Sequence, residues 1–140
     1  MSYLPDDVPG PLPDPDDEGF WRHCDERRLK FRRCTSCGHV QHPPLHFCPR
    51  CMETAHDWVE APAYGEVFTY TITHHPGHQS VKPVVPYNVI VVDFPELGHI
   101  RLVSNLVDGN DIAIGMKVQL VWQEQGGRML PRFRRFDQQG

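Results

Sequence analysis

Four of the five cysteines stand as two Cys-x-x-Cys pairs, Cys34-Thr-Ser-Cys37 and Cys48-Pro-Arg-Cys51, within 18 residues. Each pair brings two thiolates close enough to share one tetrahedral ion, with Zn–S distances of about 2.3 Å. Two pairs supply Cys34, Cys37, Cys48 and Cys51, which complete the coordination shell. A complete shell means a structural site, because no open position is left to activate water. Gly38 suits the positive φ of a knuckle turn, and Pro49 stiffens the second knuckle. The ten-residue spacer is short but long enough for a small two-knuckle ribbon. Zinc is the expected metal, with iron in the same geometry as the alternative. In a reducing compartment this pattern reads as metal binding rather than disulfides. Cys24, well upstream, reads as a small buried apolar residue.

The 140 residues suit one compact domain plus a small module. The net charge of −4 argues against a generic nucleic-acid binder, but the charge is uneven. Residues 1–18 carry six acids, no base and five prolines; the other 12 acids face 14 bases, a net of +2. Residues 1–16 therefore read as an acidic, proline-rich arm, disordered or draped over a partner. Met1 to Gly10 has neither a basic start nor an apolar run, so no secretory signal is expected. No apolar run is long enough to span a bilayer, and the cytoplasm is the expected location.

Residues 17–30 predict a short amphipathic helix capped by Asp16 or Asp17 and anchored by Phe20 and Trp21. Its plainer role is packing on this chain; its sharper role is docking on another subunit. Beyond residue 60 the pattern is β. Strands are expected at Tyr64–Thr73, Tyr87–Phe94, His99–Ser104, Lys117–Gln123 and Met129–Phe136, with Gly126-Gly127 as a hairpin turn. Tyr87–Phe94 reads as buried on both sides, and a helical turn fits within 105–115. Phe68, Tyr70 and Ile72 alternate onto one face, which assigns them to the barrel core rather than to base stacking. Five short strands with turn signals predict a small closed barrel. The expected organisation is an arm over 1–16, helix plus ribbon over 17–60, and barrel over 61–137.

Residues 20–51 hold seven bases against two acids. Arg27, Arg28, Arg32, Arg33 and Arg50 can form a solvated face, a phosphate site or a docking surface. Beside an aromatic barrel they can serve single-stranded nucleic acid, or equally the phosphates of coenzyme A. Lys82, in the loop 74–86, can reach a coenzyme phosphate. In the same loop His74, His75 and His78 can form a second metal site or an acid–base group. No carboxylate accompanies them, and a polar or partner-packed loop is the favoured reading. Arg132 and Arg134 share a strand face and read as a solvated barrel edge.

The stretch Phe20-Trp21, then Leu29-Lys30-Phe31-Arg32-Arg33-Cys34-Thr35-Ser36-Cys37-Gly38, His42-Pro43-Pro44 and Cys48-Pro49-Arg50-Cys51, resembles the zinc-ribbon/OB-fold proteins linked to acyl-CoA metabolism. So do Tyr64-Gly65-Glu66-Val67-Phe68-Thr69-Tyr70-Thr71, Pro86-Tyr87, Leu102 to Val107 and Ile114 to Val118. The resemblance spans about residues 19–136 and departs at two positions. Met52 stands where a glycine often follows the second knuckle, and His42 where an aromatic is common. It implies a mainly β fold: an N-terminal helix, a rubredoxin-like zinc ribbon with four cysteine ligands, and a five-stranded OB-fold barrel.

The resemblance further implies a non-catalytic accessory subunit of a thiolase-superfamily enzyme: a thiolase, an acyltransferase or a retro-aldol lyase. The thiolase-fold partner carries the chemistry, in a hetero-oligomer of two plus two subunits. The small subunit stabilises the complex and helps form the acyl-CoA site. Two other readings stay open: an OB-fold single-stranded nucleic-acid binder, and an independent acyl-CoA enzyme using the His-rich loop.

Overall fold

Phe20 and Cys24 lie four residues apart, one helical turn, and both are buried in the computed structural model, which describes residues 2–136. They define the inner face of helix α1 (Glu18–Asp25). The helix is shorter than expected because a left-handed residue, Arg27 at φ 59°, closes it just beyond Asp25 and Glu26. There Arg27 N–H donates to the Cys24 carbonyl and Arg28 N–H to the His23 carbonyl, a Schellman closure. Capping also differs from expectation. Asp17 makes no side-chain cap bond; Asp14, one turn earlier, accepts from the N–H groups of Asp16 and Asp17. Asp25 fastens the far end of α1 through an ion pair with Arg128 at 2.7 Å.

The ribbon is a three-stranded antiparallel sheet of β1 (Lys30–Cys34), β2 (Val40–Gln41) and β3 (His56–Glu60), in the order β2-β1-β3. Strand β3 has weak alternation and was not expected; it is held by five residue pairs to β1, from Lys30–Glu60 to Cys34–His56.

The second sheet contains β4 (Tyr64–Thr73), β5 (Tyr87–Phe94), β6 (Ile100–Ser104), β7 (Lys117–Gln125) and β8 (Arg128–Arg135), ordered β6-β5-β4-β7-β8. Leu106 pairs in parallel with Phe133, joining the end beyond β6 to β8 and curling the sheet into an OB-type barrel. Residues 105–115 hold turns rather than the expected helical turn. Buried Asn88 explains this: its Nδ2 donates to the Leu106 carbonyl and Asn110 Oδ1, and its Oδ1 accepts from Leu106 N–H. A short 3₁₀ turn lies instead in the 74–86 loop, over Gln79–Val84.

One apolar core joins the two sheets. Phe20 and Phe31 stack at 6.3 Å, Phe31 meets Phe94 at 5.7 Å, and Phe94 meets Phe133 at 6.3 Å. Leu29, Val67, Ile90, Val92 and Val118 belong to it, with Cys24, Leu102, Leu106 and Ile112. Each such side chain contributes roughly 1.5–3 kcal/mol on full burial. Gly65 is required by close approach: a Cβ there would meet Val92 Cγ1 at 2.5 Å.

Three expectations are corrected. Phe68 and Tyr70 are not core; both are exposed, at 43% and 39%. A β-bulge between Val67 and Thr69 leaves Phe68 without a β5 partner, so it no longer alternates with Tyr70 and Ile72. Strand β5 is not buried on both sides: Asn88, Ile90 and Val92 face inward, while Val89 and Val91 are only half-buried.

Arg132 is buried rather than solvated, because the N-terminal arm covers it. The arm is laid on this chain's own barrel. Gln125 Nε2 donates to the carbonyls of Pro5 and Val8, and Asn88 N–H donates to the Tyr3 hydroxyl. Met1 of the arm and residue 137, assigned to the barrel, lie outside the described residues.

Candidate metal centre and the ribbon–barrel seam

The knuckles are built alike. Gly38 N–H donates to the Cys34 carbonyl at 2.9 Å, and Met52 N–H donates to the Cys48 carbonyl at 2.8 Å. Each loop closes a second time, Cys34 N–H to the His39 carbonyl and Cys48 N–H to the Glu53 carbonyl. Both residues after a knuckle need positive φ, 80° at Gly38 and 69° at Met52. The four sulfurs lie within 4.8 Å of one another, with Cys34–Cys51 at 3.5 Å and Cys37–Cys48 at 3.6 Å. The edge of a tetrahedral ZnS₄ site is about 3.8 Å, close to both of these pairs, so the donor set suits zinc.

Backbone N–H groups prepare the thiols. The N–H of Cys37 leads in bringing Cys34 down to about 7. The N–H of Glu53 draws Cys51 down, but burial and the other three sulfurs push it up to about 12. This cluster is the only set of three or more metal-ligating side chains gathered among the described residues. The expected alternative site at His74, His75 and His78 does not assemble as a metal site: these residues are exposed, and His78 Nδ1 caps its own loop by accepting from Ser80 N–H at 3.1 Å.

The basic candidates separate sharply. Arg32 is buried and donates to the Thr54 carbonyl at 3.1 Å. Arg33 makes a two-pronged ion pair with Asp57 at 2.9 and 2.8 Å, which raises the guanidinium and lowers the Asp57 carboxyl. Arg28 stands 3.9 Å from Glu60. Arg27, Arg50 and Lys82 are exposed. Phe20 is core, whereas Trp21 is half-buried with its Nε1 donating to Asp17. Cys24 is buried as expected, and burial pushes its thiol up to about 12.

Sequence reasoning undervalued His42. Its ring packs 4.6 Å from Phe20 and 5.2 Å from Phe31, filling a place in the aromatic cluster. Burial pushes it down to about 4, and its Nδ1 has no hydrogen-bond partner. The signal was its occurrence at a position where an aromatic is common. Arg132 had no such signal, since its burial depends on the distant arm.

A four-thiolate ribbon joined through a shared core to a five-stranded OB barrel defines the class of protein. Two family models match in tandem: the ChsH2 rubredoxin-like zinc ribbon domain over residues 21–57 and the ChsH2 C-terminal OB-fold domain over 58–123. A solved chain from the "Ltp2-ChsH2(DUF35) aldolase" is 37% identical, with a TM-score of 0.81, over 90% of this chain and 98% of that one. The chain belongs to the ChsH2 (DUF35) family, which is linked to acyl-CoA metabolism.

A "Probable enoyl-CoA hydratase alpha subunit" of Thermomonospora curvata is 40% identical over 122 residues. The chain spans 37% of that relative's length. A DUF35 protein of unknown function from Sulfolobus solfataricus shares the fold, with 18% identity, a TM-score of 0.62, and coverage of 85% of this chain and 84% of that one. Among the described residues, no helix is long and apolar enough to cross a membrane.

Proposed function

We propose that this chain is a non-catalytic accessory subunit of a thiolase-superfamily enzyme acting on acyl-CoA. The observation that carries the reading is its near end-to-end similarity to the chain from the Ltp2-ChsH2(DUF35) aldolase. The hydratase-subunit name of the Thermomonospora curvata relative also supports a partner enzyme. In this reading the thiolase-fold partner supplies the catalytic residues, in a cytoplasmic complex of two plus two subunits. The small subunit stabilises that complex and forms part of the acyl-CoA site. Arg27, Arg28, Arg50 and Lys82, with His74, His75 and His78, contact the coenzyme or the partner, and Trp21 marks the exposed edge of the docking helix. Zinc at Cys34, Cys37, Cys48 and Cys51 holds the ribbon in shape.

The surface chemistry favours this reading over nucleic-acid binding. Strands β4 to β6 turn Phe68, Val89, Val91 and Val103 outward. The cation beside them, Arg101, lies 3.7 Å from Asp93 and 3.6 Å over the Phe68 ring. A face that tracks a phosphate backbone needs free cations beside its aromatics. This one is apolar and suits a protein surface.

Co-expression with thiolase-like chains tests the proposal. A stable complex is expected, with acyl-CoA turnover lost when this subunit is omitted. A partner fully active alone would overturn it. Salt-dependent binding of single-stranded DNA or RNA, with a steep negative slope, would favour the nucleic-acid reading instead.

A further inference from the structure

Among the described residues, Arg132 is a buried cation without an anion. It is 2% exposed. Its Nε donates to Asn105 Oδ1 at 3.3 Å, Nη1 to Ser2 Oγ at 2.5 Å and Gln123 Oε1 at 3.0 Å, and Nη2 to Gln125 Oε1 at 3.4 Å. All four acceptors are neutral, and among the described residues its guanidinium has no carboxylate within ion-pair reach. Five N–H groups thus meet four acceptors, two of them beyond the usual N–H···O range. A guanidinium removed from water at such a site carries a desolvation cost that only an opposite charge offsets well.

Asn105 and Arg132 also contribute to the wall of a groove of about 450 Å³ between α1, His42-Pro43 and strands β6 and β8. The remaining wall is mainly apolar, with Trp21, Val103 and Leu130 prominent; its other cation, Arg101, already faces Asp93 at 3.7 Å. We propose that this groove binds a small apolar monocarboxylic acid, its body against Trp21, Val103 and Leu130 and its carboxylate received by Arg132. The long Asn105 contact is the one the carboxylate replaces. The guanidinium fork matches a carboxylate better than any neutral acceptor. The volume falls within the range of small-ligand sites, which favours a small molecule over a peptide segment.

Calorimetry on the full zinc-loaded chain with hexanoate and 1-hexanol tests the site. Hexanoate should bind roughly tenfold or more tightly than the alcohol, as expected for one charge-assisted hydrogen bond. Arg132→Gln should erase that preference. Because Arg132→Gln also disturbs the arm, Val103→Asp is the second variant. Val103 is 68% exposed, so the change leaves folding intact while placing a negative charge on the groove wall. Both ligands lose the same apolar contact with Val103 and only the acid meets the new charge, so the preference for hexanoate over 1-hexanol should fall about tenfold. Equal affinity for acid and alcohol, no binding of hexanoate at millimolar concentration, or indifference to Val103→Asp would each overturn the proposal. An acidic peptide that binds where hexanoate does not would overturn it in favour of a macromolecular occupant.

Discussion

The two ends of the ribbon are held by different forces. At its base, Leu29 and Phe31 sit within the barrel's apolar core, so β1 is as well anchored as the barrel strands. At its tip, residues 34–53 contribute Cys34, Pro44 and Cys48 to the buried apolar set, and two of the three are ligands. The tip has no core of its own. Four sulfurs replace it, and a few backbone bonds around each knuckle set their positions. One sheet thus passes from apolar burial to metal ligation within a single strand, β1.

Removing a ligand tests that division most severely. Cys34→Ser should release the metal and melt residues 34–53, since binding and folding are coupled with about 10 kcal/mol or more in small zinc sites. Hydrogen exchange should then show loss of protection across the knuckles but persistence at Phe31, Ile90, Val92 and Phe133. Collapse of barrel protection together with the knuckles would show that the core does not hold β1 independently. Elemental analysis of the wild-type chain should find about one zinc or iron per molecule.

His42 stands where the two regions meet, and it makes their joint sensitive to pH. Its folded value is about 4, against about 6.5 when unfolded. Between those values the unfolded chain binds the extra proton, so stability falls as pH drops from 6.5 towards 4. The full loss is about 3 kcal/mol. His42→Leu keeps an apolar filler beside Phe20 and Phe31 and should remove this slope. Urea midpoints for both zinc-loaded proteins across the range measure it. The difference between them isolates His42 from protonation of the thiols, which both share. Parallel curves would contradict the assignment.

Legibility in the sequence followed how local each interaction was. The Cys-x-x-Cys spacing fixes a knuckle within four residues, so the metal centre was readable in full. Strong alternation located β4, and a near-continuous apolar run located β5, to the residue. The bulge at Phe68 could not be read, because an extra residue leaves local composition unchanged and is defined only by its partner strand. Strand β3 owes its existence to β1 and β7 gains residues from its hairpin with β8, so their limits were non-local too. The fate of Arg132 rested on Ser2, 130 residues away, and the arm's acidic proline-rich composition read as disordered or draped over a partner. Arg32 and Arg33 looked like available cations until their partners Thr54 and Asp57 folded beside them.

The smallest expected effect sharpens the comparison of the two knuckles themselves. They share one hydrogen-bond pattern, but one places glycine and the other methionine at the positive-φ position. An L-residue with a side chain in that conformation carries a cost of roughly 1–2 kcal/mol that glycine does not. Part of this is offset because glycine loses more backbone freedom on folding. Met52 is 68% exposed, so its side chain adds little packing to oppose the change. Met52→Gly should therefore stabilise the ribbon by up to about 1 kcal/mol, seen as a higher chelator concentration needed to extract half the metal. The converse substitution, Gly38→Met, should weaken the first knuckle by a similar amount. If both changes destabilise, the methionine side chain is making a contact that outweighs its backbone strain, and the two knuckles differ in more than that one dihedral angle.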